Sequence, residues 1–136
     1  MPMTFARIVP AVVLLLFGAG CCGGDKCQVE AIKKKLSPNA QFVAVSWLTS
    51  CGGSGLGSLE ANVSIFRASE EFEIDENASG NVFWCGSAIA KTEWDGNGTL
   101  LIKTTDNCKS TSDVKALNEY LGVRIRHEYA IRRHPS

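Results

Sequence analysis

The stretch AIAKTEWDGNGTLLIKT, residues 88–104, carries the clearest fold signal in the chain. Two runs, Ala88–Trp94 and Thr99–Thr104, flank Asp95-Gly96-Asn97-Gly98. Gly and Asn supply the positive φ angles that tight hairpin turns demand, so the stretch reads as two antiparallel strands joined by a short loop. Two loop placements fit. With Gly96-Asn97 as the loop, Asp95 faces Gly98, and Cys85 falls opposite Cys108. With Asn97-Gly98 as the loop, the register slips and the same cysteines become diagonal neighbours. Either placement brings the two within bridging reach.

Strand patterns continue on both sides of this hairpin. Glu60–Arg67 alternates, with Ala61, Val63 and Ile65 on one face and Asn62 and Ser64 on the other. Gln41–Leu48 is rich in Phe, Val and Trp, and Asn81–Trp84 is a short strand leading into the hairpin. Val123–Ile131 sends Val123, Ile125, His127, Tyr129 and Ile131 one way and Arg124, Arg126 and Glu128 the other. Cys27–Leu36 fits a helix through Val29, Ile32 and Leu36, and a strand through Val29 and Ala31. The spacing of Val114, Leu117 and Leu121 predicts one helix over Ser112–Leu121, capped by Ser110 or Ser112 and stopped by Gly122. Ser37-Pro38-Asn39 is a turn, 51–57 a flexible loop, and Glu70, Glu71, Glu73, Asp75 and Glu76 a solvated acidic run. The expectation is a mainly β fold: an antiparallel meander or sandwich-like small domain of about five to seven strands, with one short helix near the C-terminus.

The 136 residues suffice for one domain, and 21% charged against 45% apolar residues is a globular composition. Lys+Arg and Asp+Glu both number 14; a leader that takes away Arg7 leaves 13 against 14, or −1. So even a balance supplies no field to draw nucleic acid or an anionic membrane.

Met1–Gly20 reads as a signal peptide. Arg7 is its positive start, Ile8–Phe17 its apolar run, and Gly18-Ala19-Gly20 its small residues before a cut. The apolar run is shorter than the roughly 20 residues a spanning helix needs. Gly18-Ala19-Gly20-Cys21 resembles a bacterial lipobox, in which the cysteine is lipidated; Gly18 stands where a larger aliphatic residue is usual, and ordinary cleavage after Gly20 is the alternative. The expected organisation is a signal peptide 1–20, a linker 21–26, one β-rich domain 27–131 and a disordered tail 132–136. The expected location is the bacterial cell envelope, either as a lipid-anchored lipoprotein or free in the periplasm or secreted.

Cys21 and Cys22 sit in the linker, which leaves Cys27, Cys51, Cys85 and Cys108 for an exported domain's disulfides. The hairpin argues for Cys85 with Cys108, and Cys27 with Cys51 follows by elimination. A metal site finds no ligand spacing: Cys22 and Cys27 are too far apart for a knuckle, and His127 and His134 lie far along the chain.

Several segments together resemble a known group. Ser37-Pro38-Asn39-Ala40-Gln41-Phe42 with Ala44-Val45 is similar to an S-P-D-G-K-Y-x-A-V motif leading into a strand. Cys51-Gly52 and Val63-Ser64-Ile65 resemble D-C-G followed by V-S-I-L, and Gly80-Asn81-Val82-Phe83, Trp94 and Leu100-Leu101-Ile102 continue the order. The set resembles an uncharacterised family of small bacterial exported proteins, many with lipoprotein-like leaders. Asn39, Ala40, Ser50 and the additional Cys85 and Cys108 depart from its pattern. The resemblance implies location and fold type and no activity.

No catalytic set is legible. Gly53-Ser54-Gly55-Leu56-Gly57 matches neither a dinucleotide fingerprint nor a nucleophile elbow. His127 lies on the apolar face of its strand with no nucleophile tied to it. The acidic run lacks calcium-loop spacing. Asn62-Val63-Ser64, Asn77-Ala78-Ser79 and Asn97-Gly98-Thr99 match the glycosylation sequon by coincidence, and Trp47, Trp84 and Trp94 read as packing residues. The expected function is a non-enzymatic envelope or interaction domain, without cofactor or metal. Its expected partners are another envelope protein and, through a lipid on Cys21, the membrane. An inhibitor or immunity-type binding protein and a hydrolase are the alternatives.

Overall fold

The computed structural model describes residues 27–51, 59–75, 78–109 and 113–132. The expected leader 1–20, the expected linker with Cys21 and Cys22, residues 52–58 of the glycine loop, Glu76, Asn77, both expected helix caps and residues 133–136 of the expected tail lie outside the described residues.

The described strands are β1 (Cys27–Leu36), β2 (Phe42–Cys51), β3 (Leu59–Arg67), β4 (Phe83–Gly86), β5 (Ala90–Asp95), β6 (Thr99–Thr105), β7 (Lys115–Ala116), β8 (Glu119–Tyr120) and β9 (Val123–Ile131). They form two sheets, ordered β1-β2-β3-β4-β7 and β5-β6-β9-β8. Because side chains alternate across a strand, the register selects one inward face. Ala44 lies opposite Ile65, Leu48 opposite Ala61, Val63 opposite Phe83 and Ala61 opposite Cys85. The second sheet answers with Leu100, Ile102, Val123 and Ile125, and these residues form one buried core with the first set. Phe83, Ile65, Leu100 and Ile102 are fully buried, each adding about 1.5–3 kcal/mol of apolar transfer.

Contacts tie the two sheets together at both sides. At one, the Lys35 ammonium donates to the Thr92 carbonyl, and Trp94 Nε1 donates to the Lys35 carbonyl at 2.9 Å, joining β1 to β5. At the other, the stretch from β7 to β8 belongs to both sheets. The Leu117 N–H donates to the Val82 carbonyl at 2.9 Å, and the Asn118 carbonyl accepts from Ile125 at 2.8 Å.

β3 is buried on both faces, which its alternating pattern does not announce. Asn62 and Ser64 are 1% and 3% exposed. The described residues between β3 and β4, 68–75 and 78–81, form a strap across that outer face. Phe72 stacks on Phe66 with ring centroids 4.2 Å apart, and Lys34 lies over Phe72. The Gly80 N–H donates to Asn62 Oδ1, and the Asn81 N–H to Ser64 Oγ. Asn81 then behaves as a strand residue through its side chain: Oδ1 accepts from the Ile65 N–H at 2.9 Å and Nδ2 donates to the Ile65 carbonyl at 3.0 Å.

The structure corrects three expectations of detail. The described part of the segment expected to be helical, 113–121, is not: Lys115–Ala116 pairs with β4 and Glu119–Tyr120 pairs with β9. Among the described residues, the one helical turn is a 3-10 turn at Asp106–Lys109. A ten-residue helix gains little by itself, whereas these residues satisfy open edges of both sheets. Gly122, at φ 78, closes a two-residue hairpin turn with Leu121 at φ 52. The β5–β6 hairpin takes neither expected loop. Asp95 pairs with Thr99 across a three-residue connection, Gly96-Asn97-Gly98. Finally, β9 runs parallel to β6, so the antiparallel meander is interrupted there. Cys27–Leu36 resolves as a strand, with a bulge between Glu30 and Lys33.

Candidate functional site

The four domain cysteines form two bridges of different character. Cys27 and Cys51 are direct ladder partners on β1 and β2, with Cα atoms 4.2 Å apart, and both are half-buried. Cys85 and Cys108 have Cα atoms 6.0 Å apart and are 1% and 3% exposed. The second pair is the one the hairpin suggested, by a different route. Cys85 is on β4, in the other sheet, and the chain turns through Ser87 at φ 55 before β5 begins. Cys108 lies in the 3-10 turn after β6, so the bond spans from sheet to sheet instead of across a hairpin.

Beside the Cys27–Cys51 bridge is a cavity of about 50 Å³, lined by both cysteines, Thr49, Glu60, Trp84 and the strap residue Ser79. Trp84 Nε1 donates to Glu60 Oε2 at 3.2 Å, which holds the carboxylate at this end of the sheet. The other half-buried indole, Trp94, makes the β1–β5 contact, and Trp47 is buried at 4% exposure. The three tryptophans therefore serve packing and form no common aromatic platform.

His127 extends from β9 toward the core, with its ring 5.9 Å from that of Phe83 and 6.2 Å from that of Tyr129. Its Nε2 lies 2.8 Å from the Leu117 carbonyl. A carbonyl can only accept, so Nε2 carries the proton and the lone pair of the neutral ring falls on Nδ1. Nδ1 is buried without a hydrogen-bond partner among the described residues. The atom that would act as a base is thus turned into the protein.

Glu70, Glu71, Glu73 and Asp75 are exposed on the strap, while Phe72 and Ile74 between them are half-buried. Arg67 meets Glu70 at 3.7 Å. Among the described residues no three His, Cys, Asp or Glu side chains converge as metal ligands. Of the sequons, Asn62 is buried and uses its amide on Thr49 at 3.0 Å, Asn97 is exposed in the hairpin loop, and Asn77 lies outside the described residues.

Two quoted motifs acquire structural reasons. Ser37 Oγ accepts from the Phe42 N–H and donates to Asn39 Oδ1, which also accepts from the Gln41 N–H. In Gly80-Asn81-Val82-Phe83, a Cβ on Gly80 would stand 2.4 Å from the carbonyl oxygens of Val63 and Phe83. The strap's dependence on Asn81 has no periodic signal; only the G-N pair before a strand hints at it.

No family model matches the chain, and neither a curated protein nor a solved structure shows significant similarity to it.

Proposed function

We propose that this chain is an exported bacterial protein whose domain acts through protein contacts, without catalysis, at the cell envelope. The observation that carries the reading is the pair of disulfides in one small β-rich domain, a stapling habit of proteins in oxidising compartments. The leader-like segment Met1–Gly20, and the resemblance to exported proteins with lipoprotein-like leaders, support the same location. The inward-facing lone pair of His127 supports a non-catalytic role. Lipidation at Cys21 would add the membrane as a partner, and a second envelope protein is the contact the scaffold suits. The inhibitor-type alternative draws on the exposed acidic strap, Glu70 to Asp75.

Intact mass of the native protein from membrane and soluble fractions, combined with photo-crosslinking from Glu73, tests the reading. An acylated mass starting at Cys21, or a lipid-free mass starting after Gly20, with a discrete envelope protein crosslinked, is the expected result. An intact leader in the cytosolic fraction overturns the location. Crosslinks to a single tightly held foreign protein favour the inhibitor alternative.

A further inference from the structure

We propose that the Cys27–Cys51 bridge is a thiol-exchange site for dithiols, and that its opening unzips β1 only as far as the bulge at Ala31–Ile32. The two bridges close loops of nearly equal length, with sequence separations of 24 and 23, so chain entropy does not distinguish them. Access does. Both sulfur-bearing residues of the first bridge are half-buried, while those of the second are 1% and 3% exposed inside the core. Exchange requires a thiolate to reach a sulfur in line with the S–S bond, so the less buried bridge reacts first.

The step balances without a further reagent. One thiolate of the dithiol attacks a sulfur of the Cys27–Cys51 pair, a mixed disulfide forms, and the other cysteine departs as a thiolate that takes a proton from water. The second thiol of the reagent, as its thiolate, attacks the mixed bond and releases the remaining cysteine. The dithiol is oxidised to a disulfide and the bridge is reduced to two thiols.

The ladder determines how far β1 then opens. β1 pairs with β2 in two blocks, Cys27–Glu30 with Leu48–Cys51 and Lys33–Leu36 with Val43–Ser46, and the register shifts between them. Ala31 sits at φ 51 in that gap. A bulge leaves residues unpaired and interrupts the ladder, so cooperativity between the blocks is broken there. The distal block keeps the Lys35–Thr92 and Trp94–Lys35 bonds to β5, and Cys85–Cys108 still links the sheets. Glu60, lining the same cavity as the bridge, opposes both the incoming and the departing thiolate by its negative charge.

The test treats the folded protein with dithiothreitol, quenches by alkylation at intervals, and maps labelled cysteines and amide exchange by mass spectrometry. Labelling of Cys27 and Cys51 is expected roughly tenfold or more before that of Cys85 and Cys108. Amide protection is expected to fall over 27–30 and remain over 33–36. Glu60→Gln should speed the first reduction. Equal rates, earlier labelling of Cys85 and Cys108, loss of protection throughout β1, or a rate unmoved by Glu60→Gln overturns the corresponding part of the proposal.

Discussion

Ala40 has φ 59, a left-handed conformation that costs a residue bearing a Cβ about 1–2 kcal/mol. It occupies the place where the resembled motif has glycine, so that departure carries a stability cost. Ala40→Gly is expected to raise the urea midpoint, with a net gain of up to about 1 kcal/mol after the extra chain entropy of glycine is subtracted. Gly80 is the opposite case. Its φ is not the constraint; the carbonyls of Val63 and Phe83 leave no space for a Cβ. Gly80→Ala should therefore cost more than Ala40→Gly returns, about 3 kcal/mol in the same denaturation experiment. At the first site the sequence shows only the turn Ser37-Pro38-Asn39; the left-handed residue that follows it is an alanine and carries no local signal. The second site depends on backbone from two other segments, and no local pattern carries that.

Among the elements, the strap and the β7–β8 segment show what local reading misses. Alternation in Glu60–Arg67 placed Asn62 and Ser64 on a polar face, and the face assignment holds: both lie opposite Ala61, Val63 and Ile65. What covers that face is the strap, whose acidic and polar composition reads as a solvated loop. Phe72 anchors it by stacking on Phe66, and Asn81 anchors it by three hydrogen bonds with β3. Asn81→Ala removes the two made by the side chain and strands a buried amide. A loss of about 2–4 kcal/mol is expected, with faster amide exchange at Ile65 as the local readout. The expected helix failed for a related reason. Val114, Leu117 and Leu121 do satisfy a helical spacing, yet Leu121 is 38% exposed in a turn, while Leu117 bonds to Val82. Unpaired edges of two sheets exert a demand that a short helical pattern cannot outweigh.

For the whole molecule, the buried bridge is the structural staple. Cys85→Ala with Cys108→Ala should lower unfolding free energy by about 3 kcal/mol from loop closure, with a further loss from the void left in the core. Thermal melting under oxidising conditions checks it; an unchanged midpoint would show the bridge to be idle. The corresponding Cys27 and Cys51 variant changes the unfolded chain by a similar amount and leaves the intersheet core filled.

The order of residues along the chain was enough to establish the β class, most strand positions and the four cysteines that pair. Alternating apolar residues, turn glycines and cysteine number are local or compositional signals, and they survive folding because burying one face of a strand needs only period two. Four features arose only in the folded molecule: the parallel return of β9 beside β6, the covered outer face of β3, the conversion of a helical pattern into strand pairs, and the exposure of one disulfide over the other. Each of these depends on groups, backbone or side chain, brought together from distant positions in the chain. That requirement is set by the assembled sheets, and no single stretch of residues contains it.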